Sequence, residues 1–213
     1  MRYSYYFFDM DGTVIDSAPG ITASVRCAMK KLDRPFPPDA DLSCFIGPPL
    51  DVSFMKFGGL SREDALRAVA FYRENYRGGA MFDCRVYDGI RETLKALSER
   101  GAMIVLATCK PHEFANAILA RLGLSPYFSL VAGPELDGTR SEKDEVIAYA
   151  MEQLGNPDPA SVLMIGDRGS DVTGAAKSRV ACAGALWGFG TAEELQAAGA
   201  IRLLHTPLEI TTF

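Results

Sequence analysis

Short apolar runs separated by helical patterns are the feature that most limits what this chain can fold into. Tyr5–Phe8, Met103–Ala107, Phe128–Ala132, Val162–Ile165, Ala181–Leu186 and Ile201–Leu204 are each four to six residues long. Runs of this length read as strands buried on both faces of a parallel sheet. From Asp88 onward, apolar stripes lie between them. Ile90, Leu94 and Leu97 form one; Phe114, Ala117, Ile118 and Leu122 another; Val146, Ile147, Ala150, Met151 and Leu154 a third. Their spacing is helical, and Pro111 suits the first position of the second helix. Strand–helix alternation predicts an α/β fold with a doubly wound parallel sheet. A chain of 213 residues, 48% of them apolar, can build the core this needs without disulfide or metal staples.

Residues from about Asp16 to Cys84 break the rhythm. They read as helices over Ile21–Leu32, around Leu50–Phe57 and over Arg62–Tyr76, punctuated by Arg34-Pro35-Phe36-Pro37-Pro38 and Gly47-Pro48-Pro49. Ser61 with Asp64 resembles a capping box for the last of these. Nearly 70 residues is too long for an ordinary crossover, so this stretch reads as an inserted helical subdomain. The boundaries fall at 1–15 and 85–213 for an α/β core and 16–84 for the insertion. The insertion carries nine positive and nine negative residues, so the core holds the whole net charge of −5.

That acidic balance argues against a nucleic-acid binder. The five cysteines, Cys27, Cys44, Cys84, Cys109 and Cys182, are widely spaced and include no C-x-x-C pair. They suit a reducing compartment rather than a disulfide framework or a zinc site. His112 and His205 are too far apart in sequence to suggest a metal cluster. The longest uncharged stretches, Leu122–Pro134 and Val180–Ala192, have 13 residues each, short of the roughly 20 a membrane span needs. The N-terminus meets Asp9 and Asp11 at once and lacks the apolar core of a signal peptide. A cytoplasmic protein without membrane or nucleic-acid partners is the expectation, as monomer or homodimer.

Four elements carry chemistry. Phe7-Phe8-Asp9-Met10-Asp11-Gly12-Thr13 places two carboxylates at the end of the first strand, with Gly12 permitting a tight turn. Ligands of open α/β sheets bind beyond the carboxyl ends of the strands. Asp-Gly alone would be an ordinary turn; the longer pattern is far more specific. Next, Thr108 ends the run Ile104–Ala107 and is followed by Cys109-Lys110-Pro111. A hydroxyl beside a helix N-terminus favours a phosphate, although a Thr there is more often a cap. Third, Lys143 in Ser141-Glu142-Lys143-Asp144 suits a point-charge phosphate ligand; taken singly it reads as a solvated helix-start lysine. Last, Ile165-Gly166-Asp167-Arg168-Gly169-Ser170-Asp171 sets Asp167 at a strand end and Asp171 four residues on.

The order Asp-x-Asp-Gly-Thr, Thr, Lys, Gly-Asp-x-x-x-Asp resembles the haloacid dehalogenase (HAD) superfamily of hydrolases across essentially the whole chain. The insertion resembles that superfamily's helical cap. Phe45-Ile46-Gly47-Pro48-Pro49-Leu50 and Leu186-Trp187-Gly188-Phe189-Gly190 resemble its phosphoglycolate phosphatase-like members. The resemblance implies a HAD-like Rossmannoid core and a phosphatase working through an aspartyl-phosphate with Mg2+ as cofactor. Asp9 would be the nucleophile and Asp11 the general acid and base. Asp9, Asp167, Asp171 and the Asp11 carbonyl would hold the metal, with Asp171 as ligand or support. Thr108 and Lys143 would hold the phosphoryl oxygens. Lys110 and Gly47 are weaker candidates for substrate contact. Arg168 reads as a surface salt-bridge residue, and Cys109 as a neighbour rather than a thiol catalyst. Thr13 tilts the reaction towards hydrolysis, since the superfamily's phosphosugar mutases commonly have Val or another residue there.

The expected partner is a small-molecule phosphate ester, with phosphoglycolate favoured by resemblance. Nucleoside 5′-monophosphates (a 5′-nucleotidase-like activity), phosphosugars and pyrophosphate are the alternatives. A response-regulator receiver also joins an Asp, Mg2+, a Thr and a Lys on a doubly wound sheet. Such a domain is much shorter and has no helical insertion after its first strand. A non-catalytic binding protein on the same fold is the alternative of another class; every catalytic position is retained, which speaks against it.

Overall fold

A computed structural model describes residues 3–213. The chain divides into two compact units, one of residues up to Asp16 with Val86–Phe213, the other of Ser17–Arg85. In chain order, β1 (Tyr5–Phe8) and β2 (Ile15–Asp16) are followed by α1 (Ala18–Lys31), α2 (Leu50–Lys56) and α3 (Arg62–Arg77) of the second unit. β3 (Arg85–Val86) pairs with β2, so the chain leaves and re-enters the core on neighbouring strands. Then come α4 (Ile90–Glu99), β4 (Met103–Ala107), α5 (His112–Leu122), β5 (Leu130–Ala132) and α6 (Lys143–Gln153). The last are β6 (Val162–Gly166), α7 (Gly169–Lys177), β7 (Ala181–Ala185), α8 (Ala192–Ala198) and β8 (Arg202–Leu204).

Six strands form one parallel sheet in the order β5-β4-β1-β6-β7-β8. All six expected runs are strands, which makes the core the expected doubly wound α/β sheet. The run starting at Phe128 is shorter than expected, because Ser125–Tyr127 form a 3-10 turn and the strand begins at Leu130. Side chains alternate across the sheet. Phe7, Val105, Ala107, Ala132, Val162, Met164 and Cys182 share one buried cluster with Val146, Ile147 and Ala150 of α6, Val172 and Ala175 of α7 and Leu195 of α8. Tyr6, Phe8, Ile104, Leu106, Leu163 and Ile165 alternate with them, project from the opposite face, and are also buried. Burial on both sides is the physical reason the strands read as continuous apolar runs.

Register decides what lies next to what. Phe8 pairs with Leu106 on one side and Ile165 on the other, so β1, β4 and β6 end side by side. The chain moves outward from β1 to β4 and β5, then returns to the far side of β1 as β6. Such a reversal leaves a crevice at the strands' carboxyl ends.

The second unit has its own interior. The Phe45 ring meets Phe36, Phe54 and Phe57 at centroid distances of 5.8, 5.3 and 5.9 Å, and Tyr72 stacks on Tyr76 at 5.2 Å. Ser61 Oγ accepts the Asp64 N–H at 3.1 Å and starts α3. Several cations of this unit are held by its own chain: Arg26 donates to the Pro37 and Ala40 carbonyls, and Lys31 pairs with Glu74. Among the described residues, no helix is long and apolar enough to cross a membrane.

Candidate active site

Asp9 and Asp11 follow β1, Thr108 to Lys110 follow β4, and Asp167 follows β6. Lys143 opens α6, and Asp171 lies in the first turn of α7. The tertiary fold brings all of these together. Carboxylate oxygens of Asp9, Asp167 and Asp171 lie within 4.8 Å of one another, all three residues buried. Lys143 Nζ stands 2.8 Å from Asp9 Oδ1 and 2.8 Å from Asp171 Oδ1, and donates to the Ala107 carbonyl at 3.0 Å. Lys143 is 5% exposed, which overturns the reading of this residue as a solvated lysine at a helix start.

Each group is positioned by a different device. Asp171 Oδ2 accepts the Arg168 N–H at 3.0 Å, an interaction that also caps α7. Asp167 Oδ1 accepts the Thr13 hydroxyl at 3.1 Å, and its Oδ2 accepts the Phe189 N–H at 2.8 Å. Thr13 thus has a positional task that the sequence pattern did not reveal. The Thr13 carbonyl in turn accepts the Trp187 indole N–H at 2.9 Å. Thr108 is buried and its Oγ1 accepts the Lys110 N–H at 3.2 Å. Lys110 Nζ pairs with Asp11 Oδ2 at 3.0 Å. Pro111 has extended backbone and precedes α5 as its N-cap, correcting its expected place inside the first turn. Gly47, at φ +105°, belongs to the helical unit. Arg168 Nε pairs with Glu194 at 3.1 Å.

Glycines make the close packing possible. A Cβ on Gly12 would stand 2.1 Å from Asp167 Oδ2, one on Gly166 2.3 Å from Asp171 Cγ, and one on Gly174 2.8 Å from Lys143 Cγ. A Cβ on Gly188 would stand 2.4 Å from Asp167 Cβ, and one on Gly190 1.8 Å from the Asp167 carbonyl oxygen. The Trp187–Gly190 segment is therefore part of the site. Its signal in the sequence was two glycines two residues apart after a strand, a mark of close backbone approach.

The electrostatics follow from burial. Desolvation pushes the Asp171 carboxyl up to about 6, against the opposing pull of Lys143. Asp167 lies well above the ordinary carboxylate range, chiefly through burial and then the charges of Asp171 and Asp9. Lys143 is raised well above its usual value: burial opposes its charge, but Asp171 and Asp9 more than offset that. Burial pushes the Cys109 thiol up to about 12, so it is protonated at neutral pH and unsuited to nucleophilic attack.

The donor set tests for a metal. Three carboxylates supply hard oxygen donors, as Mg2+ or Ca2+ requires. Asp9 Oδ1 and Asp171 Oδ1 are buried and accept no hydrogen bond of good geometry, although each faces the Lys143 ammonium. One ammonium against three clustered carboxylates leaves negative charge that a divalent cation would balance. The residues fit such an ion.

An acidic triad with one buried lysine thus gathers where the adjacent parallel strands β1 and β6 end. The chain belongs to the haloacid dehalogenase-like hydrolase family, whose model matches residues 6–185. It is a phosphatase of that family. A protein of Pseudomonas aeruginosa named 5′-nucleotidase is 42% identical over 92% of this chain and 89% of its own length. A protein of Mycobacterium tuberculosis named tyrosine-protein kinase PtkA is 38% identical over 87% of this chain but only 63% of its own length. The crystal structure of a predicted phosphatase from Clostridium acetobutylicum matches with a TM-score of 0.94 and 41% identity, covering 100% of this chain and 98% of that one.

Proposed function

We propose that the chain hydrolyses a small-molecule phosphomonoester through an aspartyl-phosphate on Asp9, with Mg2+ as its cofactor. The observation that carries this reading is the buried cluster of Asp9, Asp167 and Asp171, with Lys143 Nζ 2.8 Å from an oxygen of Asp9 and 2.8 Å from one of Asp171. Asp9, Asp167, Asp171 and the Asp11 carbonyl are the groups that would hold the ion. When bound, Mg2+ supplies charge neutralisation that lets a carboxylate approach a phosphate dianion.

Asp9 attacks phosphorus; the P–O bond to the leaving alkoxide breaks as the P–O bond to Asp9 forms. Asp11 gives a proton to that alkoxide, then takes one from the water that cleaves the aspartyl-phosphate. Lys143 and Thr108 hold the phosphoryl oxygens, and Lys143 offsets their charge. Thr13 and the Phe189 N–H keep Asp167 in place by bonds to both its oxygens.

For the substrate, nucleoside 5′-monophosphates rank first. The support is the relative at 42% identity, whose name states that activity. Phosphoglycolate, favoured by the sequence resemblance, ranks second, and phosphosugars and pyrophosphate follow. Phe45 and Phe54 do not speak for nucleobase stacking, because both are buried in the helical unit's own aromatic cluster.

The test is phosphate release from these four substrate groups, with Mg2+ and with EDTA. The reading predicts turnover that EDTA abolishes and Mg2+ restores, and an inactive Asp9→Asn variant. Undiminished turnover in EDTA would exclude the metal, and full activity of Asp9→Asn would exclude the nucleophile. An ATP-dependent transfer to tyrosine with no phosphate release would favour the kinase activity named for the mycobacterial relative.

A further inference from the structure

Lys110 is a buried cation outside the carboxylate triad, and the phosphatase reading gives it no task. Its side chain is 4% exposed and that of Asp11 11%. The Lys110 Nζ to Asp11 Oδ2 distance is 3.0 Å. The other oxygen, Asp11 Oδ1, is buried and accepts no hydrogen bond. One oxygen of this carboxylate is thus tied down, and the other makes no hydrogen bond.

Both backbones that make the pair are held. The Lys110 N–H donates to Thr108 Oγ1 at 3.2 Å. Gly133 packs so closely on the Lys110 carbonyl that a Cβ there would stand 2.7 Å from it, and the His112 N–H bonds to the Pro134 carbonyl at 2.9 Å. On the other side, the Gly12 N–H bonds to the Ile15 carbonyl at 2.9 Å. The ion pair therefore joins two fixed turns at the ends of the adjacent strands β1 and β4. The ion pair gives Lys110 a contact with Asp11 beside its weaker reading as a substrate contact.

We propose that Lys110 is a positioning residue for the proton-transfer step: it clamps Asp11 through Oδ2 so that Oδ1 meets the leaving-group oxygen. This rests on the reading of Asp11 as general acid and base. The proton moves from Asp11 to the departing alkoxide as the P–O bond breaks, and Lys110 keeps its own protons throughout. A misplacement of Asp11 by even an ångström would be costly, because proton transfer demands hydrogen-bond reach.

Leaving-group chemistry isolates this role. An alkyl phosphate needs its poor leaving group protonated, whereas p-nitrophenyl phosphate departs as a stable phenolate and needs little help. The experiment measures kcat/KM for both substrates on the Mg2+-loaded full chain and takes the alkyl-to-aryl ratio. Both rates come from one sample, so the ratio does not depend on how much of a variant is folded. Lys110→Met is expected to lower the ratio at least about tenfold, and Lys110→Arg, which keeps the cation, to restore most of it. An equal fall on both substrates would overturn the proposal in favour of a phosphate-binding or purely structural Lys110. No fall on either would overturn it outright. Asp11→Asn separates the two claims. Its own ratio must fall, and Lys110→Met added to it must lower the ratio no further. An unchanged ratio in Asp11→Asn would mean that the assignment of Asp11 itself has failed.

Discussion

Gly12 can carry no side chain because the Asp167 carboxylate occupies the place where its Cβ would stand, 2.1 Å from Oδ2. Gly12 also has φ +82°, a conformation that costs an L side chain about 1–2 kcal/mol. Gly12→Ala is therefore expected to lose at least about 2 kcal/mol of stability in urea unfolding. Asp167 must move, so the Mg2+ binding proposed for this site is expected to weaken as well, as read by calorimetry. A variant with native stability and native Mg2+ affinity would show that the two residues do not constrain each other.

Lys143 bridges two buried carboxylates. Lys143→Met leaves Asp9 Oδ1 and Asp171 Oδ1 without the ammonium that stands 2.8 Å from each. Removing one partner of such a buried pair typically costs about 3–5 kcal/mol. Activity should fall by two orders of magnitude or more, as for other preorganised donors on a developing charge. Mg2+ should raise the melting temperature of this variant more than that of the unaltered chain, because the ion replaces part of the missing charge. Equal shifts would place the ion elsewhere.

Asp171 sets a pH dependence with a defined sign. Burial raises its carboxyl from an unfolded value near 3.8 to about 6. The native chain then binds this proton more tightly than the unfolded chain, so the Asp171 contribution to stability falls as pH rises from about 4 through about 6. Exposed or half-buried carboxylates such as Asp41, Asp137, Asp144, Glu193 and Glu209 are shifted the other way, and their contribution is lost as pH falls. Each of those is small because water screens it. Comparison with Asp171→Asn removes the background. In EDTA, the variant should gain stability relative to the unaltered chain between pH 4 and pH 7, and saturating Mg2+ should cancel that gain. A parallel pair of pH profiles in EDTA would refute the buried-carboxyl account.

Trp187 is the one tryptophan of the chain. Its indole N–H bonds to the Thr13 carbonyl, and the Thr13 hydroxyl bonds to Asp167. Fluorescence of Trp187 should respond to Mg2+ with a saturable change that Asp167→Asn abolishes. Titration of the unaltered chain and that variant decides this, and an emission that ignores the ion in both would break the chain of contacts.

The core strands were legible because a doubly buried parallel sheet demands apolar residues at every position, as in Phe7-Phe8 and Val162–Ile165. Asp9 and Asp167 were legible because each ends such a run, where chain polarity switches abruptly, and Asp11 because it precedes Gly12 in the turn that follows. Lys143 and Lys110 were not legible alone, since nothing in a sequence distinguishes a solvated lysine from one buried among carboxylates. The Thr13 bond to Asp167 spans 154 residues and leaves no local pattern. The two-residue strands β2 and β3 and the helix α8 also lacked a periodic signal, being too short to repeat one.

By itself the sequence determined which residues end the strands, which turns require glycine, and that a long helical segment interrupts the core after β1. Local chemistry suffices for these, because burial, backbone freedom and periodicity act on neighbouring residues. Only the tertiary structure decided which carboxylate faces which cation. The strand order β4-β1-β6 sets Asp9 between Thr108 and Asp167, brings Lys143 between Asp9 and Asp171, and turns Lys110 onto Asp11. These pairings depend on register between strands remote in the chain, and register is a property of the packed sheet.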